Sequence, residues 1–174
     1  MNKKIEKSLN EQISLEFYSS NLYLAMASWA EVNGFSGTAA FLYKHAEEER
    51  IHMLKLMHFI NERGGQGLSP GSEVPPKSFK SVKALFQEVL DHEVVVTNEI
   101  NNLVGLCLSE KDFTTHNFLQ WYVSEQLEEE NLARTILDKL KLIGNDGSGM
   151  YHFDRDIQTL TAISASASGT PTAK

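Results

Sequence analysis

Apolar residues recur along this chain at the three-and-four spacing of one helix face, in four long stretches separated by breaks rich in Gly, Pro, Ser and Asn. In the first stretch, residues 3 to about 32, Ile5, Leu9, Gln12, Glu16, Ser19, Tyr23, Met26 and Ala30 share a face. Asn33-Gly34 supplies a left-handed stop and Ser36 a candidate N-cap. Together they predict a second helix from about 37 to 63, folded back antiparallel on the first. Its seam is Leu42, His45, Glu49, His52, Leu56 and Phe59. Gly64, Gly65, Gly67, Pro70, Gly71, Pro75 and Pro76 forbid a helix between 64 and about 80. Ser81 then opens a third helix with the seam Val82, Phe86, Val89, Glu93, Val96, Ile100, Leu103 and Cys107. After a break at Ser109 to Lys111, with Asp112 as the candidate cap, a fourth helix carries Leu119, Tyr122, Gln126, Glu129, Ala133, Ile136, Leu140 and Ile143 on one face. Gly144 to Gly149 ends it, Tyr151 to Leu160 predicts one short fifth helix, and the Ala/Ser/Thr/Gly tail from Thr161 reads as unstructured.

The break at 64–80 decides the topology. An extended stretch of that length spans roughly 55 Å, whereas a helix of about 28 residues is roughly 42 Å long. The loop can therefore cross the whole bundle, and structureless loops of this size are uncommon unless topology requires them. The expected fold is all-α: a four-helix bundle made of two αα-hairpins joined by a long crossover, with a short fifth helix. One domain is expected over residues 1–160, with a flexible tail over 161–174.

A length of 174 residues and 41% apolar content suit one domain with its own core. A formal charge of −7 argues against a nucleic-acid surface, which needs clustered Lys and Arg. It makes cations the expected partners. No apolar run approaches the roughly 20 residues of a membrane span, no secretory leader is evident, and the lone Cys107 cannot form an internal disulfide. A reducing cytoplasm is the expected location, and Cys107, at the end of an apolar seam, reads as an inert buried thiol.

Each seam is interrupted by a carboxylate near its midpoint: Glu16, Glu49, Glu93 and Glu129. His52 and Gln126 lie one turn from two of them. In the bundle these midpoints meet at one level, where three or four buried carboxylates would repel one another and lose hydration unless cations neutralised them. Two divalent ions would do so. An oxygen-rich set with one imidazole suits iron or manganese, and zinc would also bind. Alone, Glu49-x-x-His52 also fits a solvated helix turn, and it is the coincidence of four midpoints that points to a metal. His45 shares the inner face and reads as a satisfied core histidine or a group behind the ligands. Tyr23, two turns after Glu16, is either core or redox-active. Glu125, Glu128 and Glu130 form a charge run that is either an exposed acidic face or, with Glu48 of the neighbouring helix, the holder of a third ion. His58, His92, His116 and His152 lack ligand-like spacing and are expected at the surface or behind the ligands.

These residues resemble the bacterial non-haem ferritins over about residues 5 to 160. The likeness is carried by Asn10-Glu11-Gln12, Glu16-Phe17-Tyr18-Ser19-Ser20, Glu48-Glu49-Arg50-Ile51-His52, and Phe118 to Gln126 with Glu128-Glu129-Glu130. The resemblance implies a hollow homo-oligomer of twenty-four subunits, each with a dinuclear ferroxidase centre that oxidises Fe(II) with oxygen or hydrogen peroxide and feeds a ferric mineral. It implies Glu16, Glu49 and His52 as ligands of a first iron, with Glu49 bridging to a second held by Glu93 and Glu129. Gln126 and Tyr23 would stand behind that pair, and Glu48, Glu125, Glu128 and Glu129 would form a third iron site. Where haem-binding bacterioferritins carry a second Glu-x-x-His and a methionine after the bridging Glu, this chain has Gln126-x-x-Glu129 and Arg50, so no haem is expected. His116 and Leu119 occupy the places of the acidic pair that lines the three-fold channels of animal ferritins, which puts iron entry by that route in doubt. Two other readings stand beside this one: a di-iron peroxidase of the rubrerythrin type, which normally carries a cysteine-rich module that one cysteine cannot build, and a non-enzymatic helical interaction module.

Overall fold

The computed structural model describes residues 1–71 and 73–167, the last seven of these by backbone alone. All elements among them are helices: α1 (Lys3–Val32), α2 (Ser36–Glu62), α3 (Val82–Ser109), α4 (Phe113–Ile143) and α5 (Gly147–Ala167). The four long helices match the seams. All eight inner-face residues expected on α1 and all eight on α3 are buried. On α2 and α4 the ends of the seams are looser, Phe59 and Ile143 being only partly buried, and Ile60 takes the fully buried place next to Phe59.

Helix ends follow local chemistry. Ser81 Oγ accepts from Ala84 N–H and Asp112 from Thr115 N–H, capping α3 and α4 as expected. Gly34 and Gly144 have positive φ at the ends of α1 and α4, where a side chain would be strained. Ser36 does not cap α2. It is the first helical residue, and the N-cap position is Phe35, which has no side-chain bond to offer. The orphan donors are met from α5, because Asp154 accepts from Gly37 N–H at 2.9 Å, Thr38 N–H at 2.8 Å and Thr38 Oγ1 at 2.8 Å. A Cβ on Gly37 would lie 1.7 Å from the Asp154 carbonyl oxygen, so only glycine permits this approach. The fifth helix is longer than expected, beginning at Gly147 and including 161–167, which had read as tail. The rest of that tail, 168–174, lies outside the described residues.

Contacts at the ends fix the topology. Asn2 Nδ2 and Lys4 Nζ reach Glu110, so the start of α1 meets the end of α3. Arg63 forks onto both oxygens of Asp112, joining the end of α2 to the start of α4. At the opposite end Trp29 meets Phe79, just before α3. Hence α1 and α4 run one way and α2 and α3 the other. Both hairpins are antiparallel, and the crossover carries the chain from one end to the other. No described helix is long and apolar enough to cross a membrane.

The core is divided in two. One apolar cluster, with Met26, Leu42, Phe86 and Ile136, fills the end covered by α5, and the other, with Leu9, Leu56, Ile100 and Leu119, fills the end near the first residue. Each fully buried Leu, Ile or Phe contributes roughly 1.5 to 3 kcal/mol by leaving water. Every long helix passes from one cluster to the other through buried polar residues: Gln12, Glu16 and Ser19 on α1, His45, Glu49 and His52 on α2, Glu93 on α3 and Gln126 on α4. This polar belt at mid-height is the feature a purely structural bundle has no use for.

Candidate metal centre

Placement of the belt follows from helical geometry. On α2, Glu49 and His52 are three residues apart, so their side chains lie one above the other on the inner face. His52 Nδ1 is 3.4 Å from Glu49 Oε2. Glu16 reaches the same space from α1, and ligand atoms of Glu16, Glu49 and His52 all lie within 4.8 Å of one another. All three residues are buried. Gln12, one turn before Glu16, donates from Nε2 to Glu16 Oε1 at 2.8 Å and so aims the carboxyl. The His52 ring packs edge-on against Trp121, and its backbone carbonyl accepts from the Tyr122 hydroxyl at 2.8 Å, fastening α4 to α2 at this level.

Glu93 enters from α3 with both oxygens engaged. The Tyr23 hydroxyl donates to Oε1, and Gln126 Nε2 donates to Oε2 at 2.9 Å. Gln126 therefore serves as a positioning donor, and Tyr23 reaches the carboxylates instead of merely filling the core. Glu129, on α4, is partly buried and turns Oε2 toward His45 Nδ1 at 3.6 Å.

Electrostatics set these acids apart from ordinary surface carboxylates. Burial, then the neighbouring Glu49, holds the Glu16 carboxyl well above its usual range. Burial, then Glu93, does the same to Glu49. Glu129 is raised well by burial, followed by Glu93 and Glu49. Glu93 is raised by burial, with the Tyr23 and Gln126 donors pulling the other way. The metal-free centre thus retains protons, which a divalent ion would displace. Glu16, Glu49, Glu93 and Glu129 with the His52 imidazole, and no Lys or Arg among the belt residues, make a donor set for a hard or borderline divalent ion.

The residues expected to hold a third ion are placed less uniformly. Burial raises the Glu125 carboxyl, and Glu128 and Glu48 add to the effect, so these acids sense one another. Glu125 Oε1 faces His52 Nε2 at 4.0 Å, Glu48 Oε2 faces His45 Nδ1 at 3.3 Å, and Glu128 is exposed. Glu130 is turned away, accepting from Thr97 Oγ1 and paired with Arg134.

His45 is buried, with Nδ1 facing carboxylates but, contrary to the expectation of a fully satisfied ring, with no hydrogen-bond partner for Nε2 among the described residues. Burial lowers its pKa to about 4, keeping the imidazole neutral. His92 is partly buried, bonded to Ser19 Oγ at 2.7 Å and edge-on to Tyr23, which puts it behind the centre. Cys107 is buried, and burial pushes its thiol up to about 11, as an inert thiol requires. Gln12 was legible as a polar residue on the α1 seam, one turn from Glu16, but its partner was not.

A bundle of two hairpins and one long crossover, with a belt of carboxylates and an imidazole on facing helices, defines the ferritin-like carboxylate metal proteins. A model of the ferritin-like domain matches residues 6–143. The chain belongs to the ferritin family. It is 47% identical over 161 residues to a bacterial non-heme ferritin-like protein of Haemophilus influenzae, covering 92% of this chain and 98% of that one. It is 46% identical over 160 residues to a bacterial non-heme ferritin of Campylobacter jejuni, covering 92% and 96%. Among solved structures, an open-pore ferritin of the archaeon Archaeoglobus fulgidus superposes with a TM-score of 0.89 at 42% identity, covering 91% of this chain and 98% of that one.

Proposed function

We propose that this chain is an iron-storing ferritin with ferroxidase activity, whose substrate is Fe(II) and whose product is a ferric mineral held inside a shell of twenty-four subunits. The observation that carries this reading is the buried cluster of Glu16, Glu49 and His52, with Glu93 and Glu129 beside it, in a polar belt between two apolar core clusters. A first Fe(II) would lie between Glu16, Glu49 and His52, and a second between Glu49, Glu93 and Glu129, with Glu49 shared. Two Fe(II) ions give up one electron each, which with two protons reduces dioxygen to hydrogen peroxide or hydrogen peroxide to water. The chain's part is to hold the pair on rigid helices, to keep Glu93 oriented through Tyr23 and Gln126, and to release carboxyl protons as the ions enter.

Relatives described as ferritins support storage and a cage-like homo-oligomer. The acidic belt and the absence of a second Glu-x-x-His support a site without haem, and the lone cysteine supports a cytoplasmic home. A rubrerythrin-like peroxidase would need a cysteine-rich module, and Cys107 is buried at the end of a seam. An interaction module would have no need of buried carboxylates. Glu49→Ala is the direct test: stopped-flow absorbance after Fe(II) addition should lose its fast phase by a factor of about a hundred or more, about 3 kcal/mol in activation free energy, while circular dichroism stays helical. An undiminished fast phase would refute the assignment.

A further inference from the structure

Beside the polar belt lies a small cavity that the dinuclear reading leaves unused. It is enclosed mainly by side chains of the apolar cluster covered by α5, among them Leu42, Phe86, Ala133 and Ile136. Only Tyr23, His45 and Glu129 in its wall are polar. Within it the centre of a small molecule has about 10 Å³, room for one molecule the size of a water. Its walls are stiff. The Phe41 ring stacks on His45, with centroids 4.2 Å apart, and stands edge-on to Phe86 at 5.8 Å, which in turn stands edge-on to Phe153 of α5. Rings interlocked in this way do not fold inward to close the gap.

Two of the polar wall groups belong to the metal centre. The Tyr23 hydroxyl donates to Glu93, and Glu129 is expected to hold the second ion, so the cavity joins the apolar core to that side of the pair. Its lining selects what can wait there. A cation entering it would trade water for hydrocarbon walls, and hydrogen peroxide would give up hydrogen bonds that those walls cannot return. Dioxygen carries no charge, needs no hydrogen bond and is little larger than water. A buried water makes about three hydrogen bonds. Here His45 Nε2 has no partner among the described residues, but the Tyr23 hydroxyl proton is committed to Glu93, and Glu129 Oε2 faces His45 Nδ1.

We propose that this cavity is a holding site for dioxygen, from which the oxidant meets the second ion position past Tyr23 and Glu129. The role rests on the reading of the belt as a dinuclear iron centre. It adds that dioxygen, and not hydrogen peroxide, is the oxidant this chain is built to hold.

Crystals of the assembled, metal-free full chain would be pressurised with xenon, an apolar probe that occupies dry cavities, and measured for its anomalous signal. The expected result is one xenon among Phe86, Ala133 and Tyr23. No xenon there, or an ordered water that xenon does not displace, overturns the proposal in the parent protein alone, whether or not any variant folds. Ala133→Val adds bulk to the α4 wall of the cavity and leaves every polar group of the centre in place. It should lose the xenon, and in stopped-flow Fe(II) oxidation its KM for dioxygen should rise about threefold or more with kcat unchanged, the mark of lost binding alone. Anaerobic oxidation by hydrogen peroxide should keep the parent rate. An unchanged KM for dioxygen in a variant without xenon, or equal slowing with both oxidants, overturns the proposal. A parallel soak in Zn(II), a redox-inert probe, keeps the two readings apart. Zinc at the pair with no xenon in the cavity overturns the holding site and leaves the dinuclear reading standing, whereas xenon beside a belt empty of zinc overturns the dinuclear reading and the dioxygen role with it.

Discussion

Replacing Glu16 with Gln should make the metal-free bundle more stable, and the gain should grow with pH. Glu16 Oε1 accepts from Gln12 Nε2 at 2.8 Å, and burial, then the neighbouring Glu49, favours its protonated form. A Gln at this position reproduces that arrangement without a titrating group, its carbonyl accepting from Gln12 and its amide donating to Glu49. In the parent, the folded chain keeps a proton that the unfolded chain releases above a carboxylate pKa of about 4.3, and keeping it costs about 1.36 kcal/mol per pH unit. A raised folded pKa therefore means stability that is present at low pH and lost as pH rises. At pH 6.5 the loss reaches a ceiling of about 3 kcal/mol for a group that stays protonated throughout. The variant escapes this loss, so a gain of about 1 to 3 kcal/mol is expected near pH 6.5, or roughly 2 to 12 °C in Tm for a chain of this size. Near pH 4.3 the two proteins should converge. His45 and His92, held neutral by burial down to about 4, lose stability below 6.5 in both proteins and cancel in the difference. The assay is denaturant unfolding between pH 4.5 and 7.5 with chelator present, on samples in the same assembly state. Zn(II) at a hundredfold its Kd should then stabilise the parent by about 2.7 kcal/mol and the variant by less, since an oxygen ligand is gone. A variant less stable than the parent at pH 7, or a gain that does not change with pH, would show that Glu16 is ionised in the metal-free fold and sink the reasoning.

Glu93→Gln should behave in the opposite way. Both Glu93 oxygens accept from donors, Tyr23 and Gln126, so an amide sets one donor against another and should forfeit about 1 to 3 kcal/mol of hydrogen bonding; a variant as stable as Glu16→Gln in chelator would contradict the contacts described. Asp154→Ala should remove the cap on α2 and lower stability by about 1 to 2 kcal/mol, read as a lower denaturation midpoint with unchanged m, whereas an unchanged midpoint would mean that α5 does not cap α2. Changing Glu125 and Glu128 together to Ala should spare the initial Fe(II) oxidation burst and alter oxygen consumption per iron, because neither residue contributes an atom to the cluster of Glu16, Glu49 and His52; loss of the burst itself would place them among the ligands of the pair.

Much of this architecture is written in local periodicity. A residue's place on a helix face depends only on its neighbours three and four positions away, so the inner faces of α1 and α3 could be listed from sequence, carboxylates included. The mid-height belt followed from the matched positions of those carboxylates within helices of similar length. What periodicity could not reveal depends on rotation and stagger between helices. The seam marked His45 as inward-facing, but its two carboxylate neighbours come from Glu48 on its own helix and Glu129 on another. Likewise Ser36 has the composition of a cap, and the cap that forms comes from Asp154, more than a hundred residues away. The fifth helix exceeds its sequence signal because Gly147, Gly149 and the small residues after Thr161 are poor helix signals.

Anomalous scattering at the iron edge, from crystals soaked anaerobically in Fe(II), tests the central claim most directly. Two iron peaks per subunit are expected in the polar belt, one within bonding distance of Glu16, Glu49 and His52 and the other of Glu49, Glu93 and Glu129, with Glu49 touching both. A single peak, or iron bound only to surface carboxylates with the belt empty, would contradict a dinuclear ferroxidase centre.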